Sequence, residues 1–149
     1  MATFYRIKAK QRRELQRAIM RSIQKYGLVD TYAMKDSVRV MTDSRVTFNG
    51  VYIKITALYY YRFHDTFASD GFSTSNGINP VDITYDAFRD PKVQQTLADI
   101  QSLYIDWLTK NNSIFAVADI EIDQTINVGF EFFGSDNPKW NKAIASAPL

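Results

Sequence analysis

This chain of 149 residues contains no cysteine. Structural disulfides, thiolate nucleophiles and cysteine-ligated zinc are therefore excluded, and the composition fits synthesis in a reducing compartment. Histidine is almost as scarce: His64 stands alone, which rules out a histidine-rich metal site. Long apolar runs are also missing, since none approaches the roughly 18 residues that a membrane span needs. The first residues, Met-Ala-Thr-Phe-Tyr-Arg, run at once into a charged segment, so the expectation is neither a signal peptide nor a membrane anchor. Internal repeats, low-complexity tracts and a second domain are absent from the pattern as well.

What is present is enough for one core, because a chain of this length buries about two-thirds of the surface its unfolded form exposes. Net charge is only +2, yet residues 1–26 hold eight basic side chains against Glu14 alone, leaving a net −5 on the remainder. The molecule is electrically two-sided. From Lys8 to Tyr26 the apolar residues Leu15, Ala18, Ile19, Ile23 and Tyr26 fall at steps of three and four, which predicts an amphipathic helix stopped by Gly27. Arg13, Arg17, Arg21 and Lys25 recur every four residues on another flank, a cationic stripe whose members repel one another by a few tenths of a kcal/mol per pair.

Residues 32–37 predict a turn or two of helix. Val46-Thr47-Phe48 and Val51 to Thr56 alternate about Asn49-Gly50, which predicts a β-hairpin with Val51, Ile53 and Ile55 facing the core. Thr66 to Pro80, dense in turn formers and poor in aliphatic residues, predicts a long exposed loop. Asp90 and Pro91 open a second helix with Val93, Leu97, Ile100, Tyr104, Trp107 and Leu108 on its apolar stripe. A second hairpin is expected from Ile114–Ile122 and Thr125–Phe133, closed by Gly134.

The fold these elements define is α+β: an antiparallel β-sheet of two hairpins packed on two amphipathic helices, with a long loop and an extended C-terminal arm. Residues 1–134 form the single domain and 135–149, with Pro138, Trp140 and Pro148, the arm, ordered only where a partner binds it. The uncovered face of the sheet is left to solvent or partners. Tyr52, Tyr59, Tyr60, Tyr61 and Phe133 are candidates for it, since tyrosine joins apolar area to a hydroxyl.

Chemistry is harder to find. His64 beside Asp65 has the residue types of a base and its orienting carboxylate, but neighbours on regular structure point apart, and no nucleophile accompanies them. Asp119, Glu121 and Asp123 share one face of the expected strand, a spacing that sometimes holds a hard cation, although a solvated outer face is the default reading. A non-enzyme with no metal and no cofactor is the expectation. The cationic stripe raises a nucleic-acid reading, although no helix-turn-helix, zinc-finger or stacking-sheet motif accompanies it.

Two segments carry a resemblance. Val29-Asp30-Thr31-Tyr32-Ala33-Met34-Lys35-Asp36-Ser37-Val38-Arg39-Val40, directly after the basic helix, is similar to the Val-Asp-Thr-Gly, leucine, basic residue, Ser-Ile pattern of tailed-bacteriophage tail-completion and head–tail connector (neck) proteins. Tyr60-Tyr61-Arg62-Phe63-His64-Asp65 resembles that family's Tyr-Ala-x-Phe-x-Glu-Phe-Gly-Thr segment. Tyr32 stands where the family has glycine, and Thr66-Phe67-Ala68 replaces the Phe-Gly-Thr turn. The resemblance covers about residues 8–130 and implies a structural virion protein, made in the host cytoplasm. It implies a ring oligomer between portal or adaptor and tail proteins, through which DNA passes without sequence-specific binding. In that frame Arg13, Arg17, Arg21, Lys25, Tyr59, Tyr60, Tyr61 and Trp140 are the expected partner-binding residues. Asp119, Glu121 and Asp123 are expected to face the lumen, where carboxylates repel phosphates. The alternative is a small nucleic-acid-binding protein using the basic helix and the tyrosines.

Overall fold

The structure, a computed structural model, describes residues 4–28, 31–47, 49–69, 77–111, 125–141 and 144–149. Within them the elements run β1 (Tyr5–Arg6), α1 (Ala9–Lys25), α2 (Thr31–Ser37), β2 (Arg39–Val40), β3 (Arg45–Thr47), β4 (Gly50–Leu58), α3 (Tyr60–His64), α4 (Thr66–Ser69), α5 (Ile83–Arg89), α6 (Pro91–Asn111), β5 (Ile126–Phe133) and β6 (Ile144–Pro148). The strands form one six-stranded sheet in the order β1-β3-β4-β5-β6, with β2 also paired to β4. Mixed helix and sheet is thus the architecture.

The first hairpin forms, with Thr47 opposite Gly50, so Gly50 opens β4 at φ 117° instead of completing the turn. β4 then pairs in parallel with β5 over eight residues, from Val51 opposite Ile126 to Leu58 opposite Phe133. The partner strand expected at 114–122 lies outside the described residues, so β5 meets β4 and β6 instead of a described hairpin mate. A parallel pair needs a crossover connection, and the four helices α3 to α6 lie in the connection between β4 and β5. The segment expected to be an extended arm supplies β6, antiparallel to β5, and the Leu149 N–H donates to the Ile126 carbonyl at 2.8 Å. Pairing satisfies backbone groups of β5 that would otherwise sit on an open edge.

Alternation decides the layers. Val51, Ile53, Ile55 and Ala57 of β4 and Val128, Phe130 and Phe132 of β5 are buried on one face. Leu15, Ala18, Ile19 and Ile23 of α1 and Val93, Leu97, Ile100, Tyr104 and Leu108 of α6 join them in one apolar core. Both helices therefore bury the stripes that their periodicity defines. Gly27 stops α1 at φ 57°, and Asp90 opens α6 by accepting the Lys92 N–H at 2.8 Å. The long loop expected from Thr66 begins instead with α4, whose Ala68 and Ser69 are buried, while residues 70–76 lie outside the described residues.

Candidate functional site

Tyr59, Tyr60 and Tyr61 read as a continuing strand, but β4 ends at Leu58 and the chain turns into α3. The helix separates the three side chains. Tyr61 faces inward, with its ring 5.1 Å from that of Phe130 and its hydroxyl 2.6 Å from Thr84 Oγ1. It is fully buried, and burial pushes its phenol pKa well up, so the expectation that Tyr61 binds a partner is corrected. Tyr59 stays half-buried at the surface, stacked on Trp140 at 5.4 Å and packed against Tyr60 at 4.2 Å. Phe63 closes the cluster edge-on to Trp140 at 5.4 Å.

This aromatic cluster sits where β4 and β5 end. Leu58 pairs with Phe133, and the Tyr59 N–H donates to the Phe133 carbonyl at 2.9 Å. Phe133 itself is 46% exposed on the face of the sheet opposite the core. Gly134 follows at φ 95°, a conformation that residues with a Cβ rarely adopt, and a Cβ there would also have to displace Leu58 Cδ2 at 2.6 Å. Three of the expected partner-binding residues, Tyr59, Tyr60 and Trp140, are thus brought together beside Phe133. The end of β4 is also tied to the first of the two segments behind the family resemblance, through the Leu58 N–H donating to Ser37 Oγ at 3.0 Å.

Farther along the same face, Tyr52, Lys54 and Thr56 alternate with the core residues, as the pattern predicts, and Arg45 lies over the Tyr52 ring at 4.8 Å. Lys54 Nζ stands 3.5 Å from Glu131 and 3.6 Å from Asp43. Asp43, then Glu131, hold the lysine's pKa above its ordinary value. The Tyr52 hydroxyl lies across Gly129, whose missing side chain leaves the space. Among the described residues no helix packs on this face, because the apolar stripes all point to the other one.

Asp65 has a structural role. Its buried carboxylate accepts the Ala68 N–H at 3.1 Å, the Thr84 N–H at 2.9 Å and the Thr84 hydroxyl at 2.6 Å. One side chain therefore caps the first turns of both α4 and α5. Burial raises its pKa to about 6, against the opposing pull of these hydrogen bonds. The oxygens are spent on helix ends, which removes the basis for a catalytic pair with the half-buried His64.

The cationic stripe of α1 is split by α5, an element the sequence reading misses. Arg21 faces Asp90 at 3.4 Å and Glu14 at 3.7 Å, and Lys25 faces Asp86 at 3.1 Å. Asp86 also accepts a short hydrogen bond from the Tyr26 hydroxyl, and together these donors hold its carboxyl below the usual range. The phenol is pushed up to about 12, first by that hydrogen bond. Ile83, Ala87 and Phe88, all buried, carried the helical spacing that marks α5. Arg13 and Arg17 remain exposed, on an open groove of about 970 Å³ between α1 and α6.

Asp119, Glu121 and Asp123 lie outside the described residues. Among the described residues no group of three His, Cys, Asp or Glu is placed to hold a metal, and no helix is long and apolar enough to cross a membrane. What the fold defines is an α+β protein with two surface features, an aromatic cluster where β4 and β5 end and a basic groove between α1 and α6. Comparison with protein-family models, curated proteins and solved structures finds no match for the chain.

Proposed function

We propose that this chain is a structural subunit of a tailed-bacteriophage virion that assembles into a ring in the neck or tail-completion region. The observation that carries the reading is the aromatic cluster at the ends of β4 and β5, where Tyr59, Tyr60 and Trp140 gather and the Tyr59 backbone bonds to that of the exposed Phe133. Clusters of this composition are what protein interfaces use as anchors, and a surrounding polar face supplies the rim. Copies of the chain dock side by side through this end, and portal, adaptor and tail proteins bind the rims of the ring.

The arginine stripe takes a smaller part than its sequence spacing suggests. Arg21 and Lys25 are matched inside the chain by Asp90, Glu14 and Asp86, so reversing them would loosen α5 from α1 before it touched any neighbour. Native mass spectrometry across a concentration series tests the reading. A closed oligomer in the wild type, and monomer in the Phe133→Glu variant at the same concentrations, is the expected result. A wild type that stays monomeric throughout, or a variant that assembles equally well, contradicts it.

A further inference from the structure

The N-terminal half of the cationic stripe is not matched as the C-terminal half is. Among the described residues no carboxylate lies within salt-bridge distance of Lys8, Lys10, Arg13 or Arg17, nor of Lys92 at the start of α6. All five are exposed, and all five line the groove of about 970 Å³ between α1 and α6. The two acids in that lining are already engaged. Glu14 faces Arg21 at 3.7 Å, and Asp99 accepts from the Gln95 amide at 2.9 Å. No acid stands in the first turn of α1, so the positive end of a 17-residue helix adds to the same potential.

We propose that this groove binds the phosphodiester backbone of duplex DNA without reading its sequence. Five cations in one trough match a polyanion, and the neutral lining residues Gln11, Gln95 and Ser102 offer hydrogen-bond donors to phosphate and sugar oxygens. Among the described residues Leu103 is the single apolar one in the lining. An acidic protein surface would need apolar or aromatic anchors, and this chain concentrates those at the aromatic end, away from the groove lining. Single-stranded nucleic acid would need aromatic side chains on which bases stack, and among the described residues the lining has none. The proposal goes beyond the ring reading and stands without it.

Fluorescence anisotropy of a labelled duplex, titrated with the full chain at salt concentrations from about 50 to 200 mM, tests it. Neutralising about five phosphates predicts that affinity falls by about 10²- to 10³-fold over that range. Arg13→Gln with Arg17→Gln should flatten the log–log salt slope by about 2 and weaken binding at low salt more than about tenfold. Lys10→Gln with Lys92→Gln should do the same, so the test survives if either pair folds poorly. Lys110→Gln with Lys139→Gln, which removes equal charge from exposed positions outside the groove, should leave binding unchanged. Absence of binding at the lowest salt, equal weakening by the control pair, or strong preference for one duplex sequence would overturn the proposal. So would competition by polyglutamate as effective as that by unlabelled duplex, since the groove would then be taking an acidic protein.

Discussion

Asp65 shows how far one side chain can be committed by its surroundings. Its carboxylate joins the ends of α4 and α5 in the core, next to a buried Tyr61–Thr84 hydroxyl contact. Burial lifts its pKa from 3.8 to about 6, so folding takes up a proton over that interval. Its contribution to stability is full below pH 3.8 and is lost as pH rises through about 6. The Asp65→Asn variant has no such proton to bind. Thermal melts of the two proteins should show the wild-type advantage shrinking between about pH 4 and pH 7, and an advantage that grows over the same interval would contradict this account. Tyr61 carries the companion lesson: three tyrosines in a row look alike in sequence, and only the start of a helix after Leu58 decides which one is buried.

Elements with a clean period were legible from sequence, and those without one were not. α1, α6 and β4 each bury the residues that their spacing of 3.6 or 2 selects, because amphipathic faces have one place to go. The four-residue α4 is too short to show a period at all. The parallel pairing of β4 with β5 was hidden for another reason: alternation fixes which face is buried, and says nothing about strand direction or partner. β6 is a short edge strand with Pro148 at its end, and its Ile-Ala-Ser-Ala-Pro sequence carries little strand propensity of its own. α5 matters most for the candidate surfaces, since it brings Asp86 and Asp90 against α1. The Asp86 carboxyl is held low first by the Tyr26 hydroxyl and then by Lys25, so its stabilising effect is present above the ordinary carboxylate pKa and fades as pH falls through the depressed value. Asp86→Ala should therefore cost about 1 kcal/mol near neutral pH. Chemical denaturation at neutral and acid pH reads this directly, and the difference between wild type and variant should close in acid.

At the scale of the whole molecule, charge and apolar surface are separated. The first 26 residues carry the positive excess, and four of their cations, Lys8, Lys10, Arg13 and Arg17, line the groove between α1 and α6. Aromatic surface collects where β4 and β5 end. On the proposed reading, a subunit arranged this way docks to copies of itself through one surface and meets a polyanion with the other. The absence of cysteine gives a direct test of the first half of that statement. A thiol introduced by Glu131→Cys sits on the open face, where the glutamate side chain is 55% exposed and gives up only a surface ion pair with Lys54. A thiol introduced by Gln24→Cys sits on an exposed position of α1 and serves as the reference. The measurement is the rate of thiol labelling for both variants as protein concentration is raised. The account predicts that labelling slows at position 131 as the oligomer forms while position 24 stays fast; equal rates at both positions in the assembled state would contradict it.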